Sequence, residues 1–420
     1  MPSRHRIATL GLVAVTLGAL LVVGQRAWPR AAGSLDATFG KDGIATSNNG
    51  TFADFETILV EPDGRILVGG MVNFDFAVAR YTPDGMPDST FGSGGTVTTD
   101  IGGMDNVWAM ALLPDGRIVA VGQIIVLAAS PSRSDFAVAR YTPDGKLDAS
   151  FGKSGVVTTD IGAGDDARAV AVQPDGRILV AGSTGRSGSD LALERYTGDG
   201  TPDPSFGKGG IVTTPGFASP SAVVVQPDGG ILVAGTGLVR FTPDGKLDPS
   251  FGGGGIVRTP MTLYPRAVAL HPDGKIVVAG SAVPSASSTA RSVTLVRYAP
   301  DGTLDPSFGS GGIVSTPETL YPGAVAIEPD GRVVVAGSTR MSGGARALAR
   351  YSADGMPDPA FGAAGVVTTT VGNDDSVRAV AIQPDGRIVV AGSVHGGCSF
   401  FVALCDAGTT SLALSRHVGD

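Results

Sequence analysis

Short segments of alternating small and branched apolar residues recur along the chain, each followed by a turn. In the unit around Asp175, Ala169-Val-Ala-Val shows this alternation, and Pro174-Asp-Gly has proline and glycine at positions typical of a β-turn. Arg177-Ile-Leu-Val-Ala-Gly and Leu191-Ala-Leu-Glu-Arg-Tyr continue the pattern, and Gly210-Ile-Val-Thr-Thr ends it. The unit therefore predicts four consecutive antiparallel strands joined by hairpin-length turns.

Two motifs mark these units, and each occurs seven times. The first resembles Leu247-Asp-Pro-Ser-Phe-Gly, and its phenylalanines are Phe39, Phe91, Phe151, Phe206, Phe251, Phe308 and Phe361. The second resembles Gln173-Pro-Asp-Gly-Arg-Ile-Leu-Val-Ala-Gly, and its aspartates are Asp63, Asp115, Asp175, Asp228, Asp273, Asp330 and Asp385. A four-stranded meander cannot bury both of its faces alone, so neighbouring units must stack against one another. Seven such units, spaced 45 to 60 residues apart, predict an all-β, seven-bladed β-propeller.

The order of the pieces predicts how the ring closes. The first piece, Leu35 to Ser47, contains only the last strand of a unit, whereas the last unit, Val377 to about Asp406, supplies the first three strands. Pairing of Gly43-Ile-Ala-Thr with that unit would complete the seventh blade and leave no open sheet edge. The tail from Thr410 to His417 is an alternative occupant of the same outer position.

The two motifs, together with Arg-Tyr-x-x-Asp-Gly, resemble those of the delta-60 repeat family of bacterial propeller-like proteins. The same pieces are also similar to NHL-type propeller repeats. The resemblance covers nearly everything after Ser34 and implies the propeller architecture. It implies no particular activity, because propellers serve as enzymes, binding modules and scaffolds.

The N-terminal segment differs from the repeats. Arg4, His5 and Arg6 precede an uncharged apolar run from Ile7 to Val23, which is typical of an export signal or an N-terminal anchor. We therefore expect residues 1–30 to be a signal peptide or membrane anchor, residues 31–420 to be one propeller, and the protein to be secreted or held at the cell envelope.

Cys398 and Cys405 are the only cysteines. A strand between them would separate their backbones by roughly 23 Å, far beyond the roughly 7 Å that a disulfide spans. We therefore expect two free thiols.

Charge and side-chain chemistry exclude several function classes. The formal net charge of -8, without a basic stripe after Arg30, argues against nucleic acid as a partner. The four histidines, His5, His271, His395 and His417, are scattered and do not suggest a zinc site or a Ser-His-Asp triad. The sequence therefore predicts no catalytic residues.

An arginine recurs in the third strand of six units, together with a downstream aspartate. We interpret these residues as buried ion pairs rather than as an anion-binding ring, and we expect the seventh unit to lack both partners because Leu404 replaces the arginine. The arginines are Arg80, Arg140, Arg195, Arg240, Arg297 and Arg350, and the aspartates are Asp88, Asp148, Asp203, Asp248, Asp305 and Asp358.

The links between units and the loops between second and third strands vary, and the meander topology places both on one face of the disc. The predicted face has an acidic arc opposite an arc of tyrosine and proline, with arginines near the channel rim. The candidate binding residues are Asp54, Asp105, Asp165, Asp166, Arg168, Tyr264, Arg266, Tyr321, Asp374, Asp375 and Arg378. Asp100 and Asp160 also belong to the acidic arc, which is a candidate calcium site although solvated loop acids are the simpler interpretation.

The sequence favours a monomeric, exported binding or scaffold module that recognises a protein, peptide or glycan on this face. The alternatives are a disc that only spaces other components, and a hydrolase or lyase with an acidic channel mouth. In the enzyme, Asp166 or Asp375 would act as general acid or base beside Arg168 or Arg378.

Overall fold

The alternating apolar segments form strands in every repeat. The computed structural model describes residues 31–47, 54–126, 133–185, 188–258, 263–271, 273–282, 292–317, 320–339, 344–371, 375–395 and 410–419. In these residues the chain forms seven four-stranded antiparallel sheets, which confirms the predicted all-β, seven-bladed propeller. The innermost strands contact one another in a closed circle around a central channel.

The first six blades follow the chain in order, from the innermost to the outermost strand. Blade 1 contains β2 (Asp54–Val60), β3 (Ile66–Val72), β4 (Asp75–Tyr81) and β5 (Thr96–Thr99). Blade 2 contains β6 (Met104–Leu112), β7 (Ile118–Val126), β8 (Arg133–Tyr141) and β9 (Val156–Thr159). Blade 3 contains β10 (Asp166–Val172), β11 (Ile178–Thr184), β12 (Asp190–Tyr196) and β13 (Ile211–Thr214). Blade 4 contains β14 (Ala222–Val225), β15 (Ile231–Ala234), β16 (Leu238–Phe241) and β17 (Ile256–Val257). Blade 5 contains β18 (Leu263–Leu270), β19 (Ile276–Ala282), β20 (Ser292–Tyr298) and β21 (Ile313–Pro317). Blade 6 contains β22 (Tyr321–Ile327), β23 (Val333–Ser338), β24 (Arg346–Tyr351) and β25 (Val366–Thr369).

Blade 7 joins both ends of the chain. It contains β26 (Asp375–Ile382), β27 (Ile388–His395), β28 (Thr410–His417) and β1 (Ile44–Ser47), in that order. The outer strand β1 pairs with β28, with Ile44 opposite Ser415. The prediction that an N-terminal strand completes the last blade is therefore confirmed.

The third strand of blade 7 differs from the prediction. The tail strand β28 pairs with β27 and takes the third position, so it does not compete with β1. The strand predicted at Phe400 to Leu404 lies outside the described residues, as do Cys398, Cys405 and residues 1–30. No helix in the described ranges has the length and apolar character needed to cross a membrane.

A buried arginine at the end of each third strand pairs with the aspartate of the Asp-x-x-Phe-Gly motif. The bonds run from Arg80 to Asp88 at 2.8 Å, Arg140 to Asp148 at 2.9 Å, Arg195 to Asp203 at 2.9 Å, Arg240 to Asp248 at 2.6 Å, Arg297 to Asp305 at 2.8 Å and Arg350 to Asp358 at 2.8 Å. The six predicted ion pairs are thus confirmed. We call an arginine with its aspartate and the motif phenylalanine an Arg–Asp–Phe cluster.

The expectation that the seventh unit lacks this pair was wrong. Arg416 of β28 pairs with Asp36 at 2.9 Å and lies 4.8 Å from the centre of the Phe39 ring. The error followed from placing the third strand at Phe400 to Leu404, because the true strand carries the arginine and the N-terminal segment carries the aspartate. The ion pair therefore occurs in all seven blades, and in six of them the guanidinium also lies over the ring of the motif phenylalanine.

Each cluster also connects its blade to the next one. In blade 1, Arg80 Nη1 donates to the backbone carbonyl of Pro143 in blade 2 at 2.6 Å. The fully buried Phe91 ring lies against Gly145 of the same turn, where a Cβ atom would approach the ring to 2.9 Å. Arg416 makes the corresponding contact with the carbonyl of Pro83, so blade 7 joins blade 1 through the same interaction.

Arg416→Met should destabilise the ring, because Asp36 would keep only Arg387, 2.8 Å away, as its cation and the link to Pro83 would be lost. Losing a hydrogen bond to a charged group typically costs about 1.5 to 3 kcal/mol, so the urea midpoint should fall clearly. Lys146→Met is the control, since the Lys146 side chain is 79% exposed. Equal midpoints for the two variants would show that Arg416 does not stabilise closure.

Candidate functional site

A β-bulge interrupts six of the seven innermost strands close to where each begins on the loop-bearing face. The pairing register shifts at one residue in each of them: Glu56, Trp108, Arg168, Arg266, Gly323 and Arg378. A glycine of the second strand permits the bulge. At Gly182, for example, a Cβ atom would lie 2.2 Å from the carbonyl oxygen of Asp166. The repeated Ala-Gly of the second motif thus allows a local backbone approach that reshapes the strand beside it.

The bulge residues line the mouth of the central channel, where Ser221 of blade 4 occupies the same position. Together with residues farther along the innermost strands, they line a cavity of about 180 Å³. We call these seven residues the channel ring: Glu56, Trp108, Arg168, Ser221, Arg266, Gly323 and Arg378. The ring varies in chemistry from blade to blade although the surrounding framework repeats.

The three arginines of the channel ring differ in how far their charge is balanced. Arg168 pairs with Asp166 at 2.5 Å and stacks on Trp108, 3.7 Å from the ring centre. Arg378 lies 3.5 Å from Glu56. Arg266 is exposed, and within the described residues it forms no ion pair. The ring therefore carries excess positive charge, with Arg266 the most available donor.

Glu56 is the acidic member of the channel ring. Burial raises its pKa to about 7, Arg378 and Arg168 act in the opposite direction, and Asp54 adds to the rise. Its side chain is 9% exposed. Near neutral pH this carboxyl is thus divided between its charged and neutral forms, a property of acid–base groups and of pH-dependent binding sites.

The members of the predicted acidic arc differ in the partners of their carboxylates. Asp54 accepts a hydrogen bond from Ser393 at 2.7 Å, and Asp166 is paired with Arg168. Asp375 is fully buried and accepts a hydrogen bond from the backbone amide of Val371 at 2.7 Å. Asp374 lies outside the described residues. In the enzyme hypothesis the general acid or base would therefore be either Asp166, which is ion-paired, or Asp375, which is fully buried.

Asp105 and Asp165 instead belong to two equivalent groups of three carboxylates. In each group a carboxylate oxygen of every member lies within 4.8 Å of the others. The first acidic triad is Asp75, Asp100 and Asp105, and the second acidic triad is Asp135, Asp160 and Asp165. Within the described parts of the chain, these are the groups whose donors could hold a metal ion.

The predicted tyrosine and proline arc lies at the starts of β18 and β22. Tyr321 is partly buried there, and Pro322 precedes the bulge at Gly323. Tyr264 lies in β18, but its side chain is outside the described part of the structure.

Sequence reasoning identified the ring arginines but missed Glu56 and Trp108, which occupy the same position. An alignment of the repeats on the glycine opposite each bulge would have found them. Asp75 and Asp135 were missed because they approach the arc from the starts of β4 and β8.

Comparisons with known proteins place the repeats in a known family. A family model described as "Domain of unknown function (DUF5122) beta-propeller" matches seven segments that together make up more than half of the chain. The segments are residues 61–91, 113–151, 173–206, 226–251, 271–308, 328–361 and 383–403. No curated protein matches the chain.

Several solved structures are similar to this chain at low identity. The extracellular domain of a putative one-component system from B. thetaiotaomicron is 12% identical, with a TM-score of 0.47 over 88% of this chain and 40% of that one. The chain thus spans less than half of that protein's length. The Pan2 WD40 domain of Neurospora crassa is 10% identical, with a TM-score of 0.48 over 86% and 89% of the two chains. The polysaccharide lyase Uly1 is 10% identical, with a TM-score of 0.47 over 90% and 93%.

Glu56→Gln should stabilise the protein above pH 7 and have little effect below about pH 4.5. The folded pKa of Glu56, about 7, lies above its ordinary value of 4.5, so its ionisation disfavours the folded state increasingly across that interval. The full difference is on the order of 3 kcal/mol. Urea unfolding of both proteins from pH 4 to pH 8 tests this, and a pH-independent difference would contradict it.

Proposed function

The chain belongs to the DUF5122 β-propeller family, and we propose that it is an exported binding module whose channel mouth holds an acidic group of a protein, peptide or glycan. The channel ring is the observation that carries this proposal. Structural residues of the framework recur in the blades, whereas the channel-ring position changes from Glu56 to Trp108, Arg168 and Ser221 within four consecutive blades. Such variation on a constant framework is typical of a recognition site.

The charge of the channel ring selects for an anion. Arg266 and Arg378 project from blades 5 and 7 into the same cavity, and both are exposed. Guanidinium groups bind carboxylates and sulfates through paired N–H donors, which gives both affinity and orientation. The partial ion pair of Arg378 with Glu56 weakens as Glu56 takes up a proton, so we expect tighter anion binding below about pH 7.

The size of the cavity favours one acidic group of a larger ligand. About 180 Å³ is less than the roughly 300 Å³ at the lower end for small-molecule pockets. The remainder of the ligand would lie on the variable loops that surround the mouth.

An extracellular or envelope location agrees with the apolar N-terminal segment, and we place the repeats in the delta-60 group on the motif resemblance.

Glu56 supports a second candidate function, a hydrolase or lyase. A carboxyl with a pKa of about 7 beside arginines has the properties of a general acid or base next to a charge-stabilising group. This version of the hypothesis transfers the catalytic role from Asp166 and Asp375 to Glu56. Incubation with a panel of acidic polysaccharides tests it: turnover that Glu56→Gln abolishes would favour the enzyme, and binding without turnover would favour the module.

Arg266→Gln should weaken the binding of an acidic ligand roughly tenfold, the effect of losing about 1.4 kcal/mol from a charge-assisted hydrogen bond. Polygalacturonate and polyglutamate are suitable probes, with affinity measured by calorimetry and by Trp108 fluorescence. Lys246→Gln is the control, because Lys246 is 80% exposed in a turn on the opposite face of the disc.

If both variants weaken binding equally, the attraction is a general charge effect and the channel mouth is not the site. If the unsubstituted protein binds neither probe between pH 5 and pH 8, the proposal of an anion site in the channel ring fails.

A further inference from the structure

The two acidic triads are built on the same backbone arrangement. The Asp105 amide donates to the carbonyl of Phe74 at 2.7 Å, and the Asp165 amide donates to the carbonyl of Ser134 at 2.9 Å. Oδ2 of Asp105 accepts the amide of Ile101 at 2.7 Å, and Oδ2 of Asp165 accepts the amide of Ile161 at 2.6 Å. One triad can therefore serve as an internal reference for the other.

The second acidic triad has its own positive charge and an extra donor. Arg133 Nη1 donates to Asp160 at 3.0 Å, and its Nη2 lies 3.5 Å from Asp135. The hydroxyl of Thr184 donates to Oδ1 of Asp165 at 2.5 Å. A guanidinium and a hydroxyl thus offset part of the concentrated negative charge, although Oδ1 of Asp135 accepts no hydrogen bond from the described residues.

The first acidic triad lacks both of these groups. By position in the repeat, Asn73 replaces Arg133 and Ile124 replaces Thr184. Asp105 is fully buried, and its Oδ1 atom accepts no hydrogen bond from the described residues. Burial raises the pKa of Asp105 to about 6, and Asp100 and Asp75 add to the rise. Three carboxylates therefore converge around a buried, unsatisfied oxygen with no cation from the described chain.

We propose that the first acidic triad binds a calcium ion through Asp75, Asp100 and Asp105, and that Arg133 replaces this ion in the second acidic triad. Hard divalent cations prefer carboxylate oxygens, and calcium accepts irregular arrangements completed by carbonyls and water. One carboxylate oxygen from each of Asp75, Asp100 and Asp105 lies within 4.8 Å of the other two, so the three side chains are close enough to share one ion. The site lies between blades 1 and 2 on the loop-bearing face, and it shares no residue with the channel ring.

Calorimetric titration of the chelator-treated full chain with calcium chloride tests the proposal. We expect about one ion per chain, a dissociation constant in the range of roughly 0.1 to 1 mM that is typical of extracellular modules, and a higher melting temperature with calcium. No heat and no change in melting temperature at about 10 mM calcium, well above that range, would overturn the proposal. That result would indicate that a proton neutralises Asp105 instead.

Two matched variants locate the ion. Asp100→Asn should weaken calcium binding at least tenfold, whereas Asp160→Asn at the equivalent position of the second acidic triad should leave it unchanged. Both positions are exposed, so neither substitution should impair folding. Equal effects of the two variants would overturn the assignment to the first acidic triad.

Arg133→Ala tests the role of the arginine. The side chain of Arg133 is half exposed, and its removal should free the second acidic triad and raise the stoichiometry from about one to about two. An unchanged stoichiometry would overturn the inference that Arg133 takes the place of the ion.

Discussion

The Arg–Asp–Phe cluster makes every blade dependent on the next. A buried guanidinium is unfavourable unless each of its donors is paired, and the aspartate of the same blade satisfies only part of it. Arg140 obtains a further acceptor from the carbonyl of Gly198 in the following blade, and hydrogen bonds from Ser150 hold the pKa of Asp148 well below its usual range. An isolated blade would leave this arginine and the Phe151 ring exposed. Six of the arginines take such an acceptor from the following blade, whereas Arg240 donates to Asp228 and Asp248 of its own blade. For Arg416 of blade 7 the acceptor is Pro83 of blade 1, so this bond forms only when the ring closes.

A second constraint connects the repeated framework to the variable site. The glycine of the second strand allows the innermost strand to bulge, and the bulge presents one side chain to the channel. The framework therefore fixes where a channel residue stands but leaves its identity free. This separation allows Glu56, Trp108 and Arg168 to occupy equivalent places without a change in the blade around them.

Local periodicity was sufficient to predict the blades, because each strand and turn is encoded within a few residues. The number of blades and the outer position of β1 followed from counting motifs. The third strand of blade 7 was missed because β28 carries the arginine but is not followed by the Asp-Gly turn and the Phe-Gly motif. Gly33 and Phe39-Gly40 of the N-terminal segment take those places. The sequence predicted two of the three members of each acidic triad and missed Asp75 and Asp135. Asp75 and Asp100, for example, are distant in sequence and meet only when β4, β5 and the start of β6 are assembled.

The two proposed sites use the same strands, which gives the loop-bearing face a physical connection between them. Asp105 and Asp165 lie at or beside the starts of β6 and β10, and in each case the channel residue, Trp108 or Arg168, follows three positions later. Across those three positions the strand passes through its bulge, where the ladder of hydrogen bonds is interrupted and the backbone is least constrained. Asp105 and Trp108 therefore stand three positions apart on one strand, and Arg168 of the next blade stacks on Trp108.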